Sequence, residues 1–227
     1  MPHERHGTLR AGLLVPWANT AVEEELPRLA TDVVWHTARL MPAGRQTALD
    51  TGFLDGLREA LPDALDQLSP LPLRHVYLAC TSAGFTAQQP RPVPTASTIT
   101  AFDAVLDALK QQRASRIVLA TPYPHEIADI EVAAFAEQGV TVLAHVSLGV
   151  EDGYGGLAAE QIAALVARLP QRAMEEAHQV VLSCTGWHTL SLIPALCQQY
   201  RRAVLSSNLA IASHARRSLE EQNARAL

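Results

Sequence analysis

The chain has 227 residues, 48% of them hydrophobic and 18% charged, which excludes a disordered protein and allows one large or two small α/β units. Eighteen Lys and Arg against 23 Asp and Glu leave a formal net charge of −5, the wrong sign for a nucleic-acid or anionic-membrane partner. Three cysteines, Cys80, Cys184 and Cys197, are too few and too scattered for a disulfide scaffold, and no C-x-x-C pair offers metal-ligand spacing; a reducing, cytoplasmic setting is expected. Residues 1–7 lack the apolar core of a signal peptide, and no run approaches the roughly 18 apolar residues of a membrane span, so a soluble protein is expected.

Short apolar runs alternate with segments of helical period, which predicts an α/β protein with parallel sheets flanked by helices. Strands are expected at 11–15, 33–35, 76–79, 117–120, 140–144, 180–183 and 203–206. Thr20 with Glu23 three residues on reads as a capping box opening the first helix. Leu54, Leu57, Leu61, Leu65 and Leu68 mark a helix that Pro62 is expected to kink or divide. Residues 88–95 hold three prolines and read as an extended connection, followed by a helix over 99–109. The division expected is therefore a first lobe of 1–95, to which the strand at 203–206 and residues 204–227 return, and a second lobe of 96–203.

Two strands end in similar words, His75-Val-Tyr-Leu-Ala-Cys80-Thr81-Ser82 and His178-Gln-Val-Val-Leu-Ser-Cys184-Thr185-Gly186, 104 residues apart at the cysteines. In open parallel sheets ligands bind beyond the carboxyl ends of the strands. Those ends offer Asn19 at a helix mouth, Tyr123 between two prolines, Ser207-Asn208 and the two Cys-Thr pairs, with almost no formal charge. A thiol at a helix N-terminus is favoured as thiolate, so Cys80 and Cys184 are expected to be more acidic than a free cysteine. The same amides, with the hydroxyls of Thr81, Ser82 and Thr185, suit a carboxylate and the enediolate formed beside it. Facing thiols can pass a proton to and from carbon, or one can add to an activated double bond.

Plainer readings stand beside these. A buried cysteine after a strand is often a small core residue, and Cys197, at helical spacing, reads only that way. Asn19 and Asn208 suit turns or caps, Tyr123 suits packing, and His188 suits the surface or a cap. Gly153-Tyr-Gly-Gly156 lacks both G-x-G-x-x-G and the Walker lysine, so it reads as a turn or lid, and no nucleotide cofactor or metal is implied.

The motifs Val15-Pro16-Trp17-Ala18-Asn19-Thr20 with Glu23–Glu25, His36-Thr-Ala-Arg39, Ala79-Cys80-Thr81-Ser82-Ala83-Gly84-Phe85, Thr121-Pro122-Tyr123, Ser183-Cys184-Thr185 and Ser206-Ser207-Asn208 resemble the Asp/Glu racemase superfamily, in the branch of maleate cis–trans isomerase and arylmalonate decarboxylase. The resemblance implies two similar Rossmann-like lobes with the active site in the cleft between them, and a cofactor-independent isomerase or racemase of a small carboxylic acid. Cys80 and Cys184 would be the catalytic thiols, Asn19 and Tyr123 carboxylate-binding groups, and Thr81, Ser82, Thr185 and Gly186 the anion cradle. A homo-oligomer, dimer or tetramer, is expected. Maleate isomerases in this pattern add the first cysteine to the double bond and move the proton with the second. The decarboxylases keep only the second and carry glycine at the first position, so Cys80 argues against their chemistry. Asp152-Gly153 stands where maleate isomerases have Asp-Asn, and Leu209 departs from the usual tail, so a different small acid fits as well as maleate. The alternatives are a decarboxylase using Cys184 as proton donor and a non-catalytic binder of small acids.

Overall fold

The most apolar runs of the chain become interior strands. Leu9–Pro16 (β1), His75–Leu78 (β3), Arg116–Thr121 (β5) and Gln179–Leu182 (β7) are buried almost throughout, as parallel strands covered on both faces must be. Val33–Leu40 (β2) and Thr141–Ser147 (β6) are more exposed and lie at sheet edges. Ser97–Thr100 (β4) and Ala203–Ser206 (β8) form the opposite edges. The computed structural model describes residues 9–86 and 97–225, so the proline-rich connection expected at 88–95 lies outside the described residues.

The strands form two four-stranded parallel sheets, ordered β2-β1-β3-β4 and β6-β5-β7-β8. The second order is the first advanced by four strands, so β3 and β7, which precede the two Cys-Thr pairs, hold equivalent places. The same holds for β1 and β5, which lead into Asn19 and Tyr123. Helices Ala21–Leu29 (α1), Thr51–Leu68 (α2), Thr81–Thr86 (α3), Ala101–Gln111 (α4), His125–Glu137 (α5), Ala159–Val166 (α6), Gln171–Glu176 (α7), Ile193–Tyr200 (α8) and Ser207–Arg225 (α9) flank the sheets. Among the described residues no helix is long and apolar enough to cross a membrane.

Several local expectations are corrected. The helix expected from residue 99 starts at Ala101, because Ile99 and Thr100 pair with Tyr77 and Leu78 as β4, in the first sheet. The capping box is made there: the Thr100 hydroxyl accepts from Asp103 N–H at 3.0 Å and Asp103 accepts from Thr100 N–H at 3.0 Å. Thr20 makes no such box. Its side chain caps nothing, Glu23 is drawn to Arg39, and Asn19 Oδ1 instead accepts from Val22 N–H at 3.3 Å. The strand 203–206 does not return to the first sheet but pairs with β7; the helix that follows it, α9, returns to pack on α4, α1 and β1. α2 runs unbroken through Pro62, with Leu57, Ala64 and Leu68 buried along one stripe against β1 and β2. Packing on the sheet outweighs the one backbone bond that proline removes.

One core cluster joins both sheets, taking Leu13, Tyr77 and Val105 together with Leu119, Val181 and Leu205. The carboxyl ends of the interior strands of both sheets therefore converge.

Candidate active site

Asn19, Cys80, Thr81, Ser82, Tyr123, Cys184, Thr185 and Gly186 all line one cavity of about 270 Å³. Cys80 leaves β3 and opens α3; Cys184 leaves β7. The remaining walls come from two loops that are bonded to each other. Leu49 N–H donates to the Glu151 carbonyl at 2.8 Å, and the Thr47 hydroxyl donates to Asp152 Oδ2 at 3.0 Å. Between these ties Pro16, Leu49, Phe53 and Tyr154 give the cavity an apolar side. Gly153 turns the chain at φ 70°, a left-handed conformation that favours glycine, into the short helical turn Tyr154–Gly156. The Tyr154 ring then meets Tyr123 edge-on at 5.8 Å.

The strand ends of the two sheets are bonded to each other. Asn19 Nδ2 donates to Thr185 Oγ1 at 3.1 Å, Thr185 Oγ1 donates to the Ala79 carbonyl at 2.8 Å, and Thr81 Oγ1 donates to Ser207 Oγ at 3.0 Å. Both threonine hydroxyls thus bond within the protein while their residues line the cavity. The side chains of Asn19, Ser82 and Tyr123 add further hydrogen-bonding groups to the cavity lining. Among the described residues no lysine, arginine or histidine lines the cavity, and Asp152 is the one acidic side chain there. An anion held here is held by dipoles, not by a formal positive charge.

The thiols are not acidic, contrary to expectation. Burial raises the Cys80 pKa against the opposing pull of the Ser82 hydroxyl and the Ala83 and Ser82 amides. Burial likewise pushes Cys184 up to about 12, against Gly186 N–H and the nearby Tyr123 hydroxyl, while Cys80 and Glu131 add like-charge repulsion. Two things defeat the helix-dipole argument. Both thiols are buried, and Cys184 opens no helix, since α8 begins only at Ile193. Ser82 Oγ stands 3.4 Å from Cys80 Sγ, and Gly186 N–H donates to Cys184 Sγ at 3.2 Å.

Behind the cavity Glu25 ties the first lobe to the loop that carries Thr185. It accepts from Thr189 N–H and Leu190 N–H, each at 2.7 Å, and from Asn208 Nδ2 at 2.8 Å. Asn208 also donates to the Thr185 carbonyl at 3.3 Å, so it supports the wall without lining the cavity. Arg39 pairs with Glu23 and donates to the carbonyls of Trp17 and Asn19 at 2.9 and 3.2 Å, fixing the loop under Asn19. His188 faces Glu24 at 3.9 Å, off the cavity, and Cys197 packs half-buried against the second core. The supports Glu25 and Glu131 and the apolar wall of Leu49, Phe53 and Tyr154 escaped the sequence reading. A buried acid on an apolar helical stripe is the one signal that could have revealed the two glutamates.

Comparison with known structures places this arrangement in a class. A maleate cis-trans isomerase from Nocardia farcinica matches with a TM-score of 0.82 at 22% identity, over 93% of this chain and 92% of that one. A maleate isomerase from Pseudomonas putida S16 gives 0.83 at 17% identity, over 94% and 93%. Arylmalonate decarboxylase gives 0.72 at 23% identity, over 92% of each chain. The fold is thus the one that maleate isomerases and arylmalonate decarboxylases share in the Asp/Glu racemase-like superfamily, as the motifs implied. The chain belongs to the arylmalonate decarboxylase family, whose model matches residues 87–226. No curated protein matches it.

Proposed function

We propose that the protein is a cofactor-independent isomerase or racemase of a small carboxylic acid, with Cys80 and Cys184 as its two reacting thiols. The observation that carries this reading is the pair of buried thiols, at equivalent strand ends of the two sheets, lining a single cavity. Support comes from a mutant of the Nocardia farcinica isomerase that carries a covalently bound succinylcysteine intermediate. By resemblance, a decarboxylase of this family carries glycine where this chain has Cys80.

For an unsaturated acid, the Cys80 thiol gives up its proton to solvent, the resulting thiolate adds to one carbon of the double bond, and the electron pair moves to the carbon beside the carboxylate. Cys184 gives its proton to that carbon, leaving a single bond that rotates. Cys184 then takes a proton back, the electron pair re-forms the double bond, and the Cys80 carbon–sulfur bond breaks. For racemisation one thiolate removes the α-proton and the other thiol supplies one on the opposite face. Raised proton affinity suits the proton transfers in either course, because a thiolate that binds protons tightly is the stronger base toward a carbon acid.

The second reading is a decarboxylase. The family match favours it. A malonate-type acid would lose carbon dioxide, and Cys184 alone would protonate the enediolate that remains. A binder of small acids without turnover is the third reading. Proton NMR in deuterated water over unsaturated, α-substituted and malonate-type acids tests all three. Isomerisation or racemisation abolished by both Cys80→Ser and Cys184→Ser supports the first reading. Carbon dioxide release abolished by Cys184→Ser alone replaces it with the second, and turnover unaffected by either change removes the thiols from the chemistry.

A further inference from the structure

α5 turns Ala128, Glu131 and Phe135 to the core at three- and four-residue steps, so a carboxyl stands where the helical period calls for an apolar side chain. Glu131 has no exposed surface. Its Oε1 accepts the Ser183 hydroxyl, and its Oε2 has no partner among the described residues. A charged carboxylate in such a place is strongly disfavoured, whereas the neutral acid is tolerated. Burial accordingly raises its pKa to about 8, against the opposite pull of the Ser183 hydroxyl.

Ser183 directly precedes Cys184, so the contact fixes the turn that carries the thiol. The titratable groups that act on Cys184 are Tyr123, Cys80 and Glu131. Those that act on Tyr123 are Cys184, Glu131, Cys80 and Tyr154, all of which add negative charge when they ionise. Burial and the Ser183 hydroxyl are the influences on Glu131 itself. A charge on Glu131 is therefore felt at the sulfur, and nothing in the chemistry proposed above uses this carboxyl.

We propose that Glu131 is the positioning residue of Cys184: it grips the Ser183 hydroxyl one residue before the thiol and, as it gains or loses its own charge, opposes or permits negative charge on the sulfur. Its bearing on catalysis rests on the proposed role of Cys184; its effect on the thiol does not. A neutral Glu131 leaves the thiolate accessible, and an ionised one withdraws it. A pH profile of turnover then carries an inflection that belongs to neither cysteine.

The test reads the thiol directly and needs no substrate. With Cys80→Ser and Cys197→Ser, Cys184 is the sole cysteine of the full chain, and its alkylation by iodoacetamide is followed between about pH 6 and pH 10. An uncoupled thiol below its pKa gains about tenfold in rate per pH unit. The expected profile drops below that slope near pH 8, and adding Glu131→Gln restores it, raising the rate at about pH 9 roughly three- to tenfold. A parent profile of uniform slope, with an unchanged rate in Glu131→Gln, overturns the proposal.

Should Glu131→Gln fail to fold, Ser183→Ala keeps the carboxyl and removes only the hydroxyl that favours its ionised form. The inflection should then move to higher pH; an unmoved inflection overturns the proposal. Infrared spectra should show a protonated carboxylic acid that is lost as the pH passes the inflection, and a carboxylate at every pH counts against it. If Cys184→Ser leaves turnover intact while these profiles hold, the catalytic reading fails and the coupling stands.

Discussion

Asn19, just past the interior strand β1, donates its side-chain N–H to the hydroxyl of Thr185, just past the interior strand β7, across 3.1 Å. The same side chain accepts from Val22 N–H, so one amide starts α1 and fastens the two lobes at the floor of the cavity. Asn19→Ala should cost about 1–2 kcal/mol, the usual range for losing a helix cap and a partly buried hydrogen bond. Asn19→Asp keeps the cap but places a negative charge where an anion is to bind. Thermal melts with and without small carboxylates should show Asn19→Ala lowered in both, and Asn19→Asp stripped of the ligand-induced rise.

Glu25 satisfies two backbone amides and the Asn208 side chain in a position that is 2% exposed. Removing it leaves those donors buried without an acceptor. Glu25→Ala should therefore destabilise the protein by about 3 kcal/mol or more, with Glu25→Gln milder because one acceptor oxygen survives. Urea unfolding followed by circular dichroism measures both, and a shift below about 1 kcal/mol for the alanine variant refutes the assignment.

A methyl group added at Gly84 would stand 2.7 Å from Thr100 Oγ1 and 2.8 Å from Phe102 Cβ. Neither neighbour can swing away, since Thr100 caps α4 and Phe102 is packed in the core. Gly84→Ala should cost about 1–3 kcal/mol by overpacking and push α3 outward. Because α3 begins immediately after Cys80, peptide mapping after iodoacetamide treatment should find Cys80 modified faster than in the parent.

His75 has its pKa lowered to about 4 by burial first, then by His214 and Arg74. The folded chain therefore binds this proton less tightly than the unfolded chain, whose histidine titrates near 6.5. The stabilising effect is present in full above pH 6.5 and is lost as the pH falls from there toward 4. Allowing for the partial exposure of the ring, the loss should be about 1–2 kcal/mol. Urea midpoints across that window should fall, and should fall less in His75→Gln.

Much of the site was legible because parallel strands buried on both faces must be apolar runs, and their carboxyl ends are where polar residues reappear. Cys80-Thr81 and Cys184-Thr185 stood out for that reason, as did Asn19 and Tyr123. Local signals misled where they competed. Thr20 and Glu23 have capping-box spacing, yet Arg39 on a neighbouring strand takes Glu23 and Asn19 does the capping. Ile99 and Thr100 continue a helical pattern, yet β3 offers them a ladder of hydrogen bonds.

The amino-acid sequence by itself determined the alternation of buried strands and amphipathic helices, the repeated Cys-Thr ends and the shortage of cationic groups near them, because these follow from local patterning and composition. Only the tertiary structure decided the proton affinity of the thiols and the fate of the threonine hydroxyls. A thiol's acidity depends on the water and charge around it, and here the burial of both thiols between the two lobes outweighs the amides and hydroxyls that favour the thiolate. The hydroxyls of Thr81 and Thr185 join strand ends that lie more than a hundred residues apart along the chain.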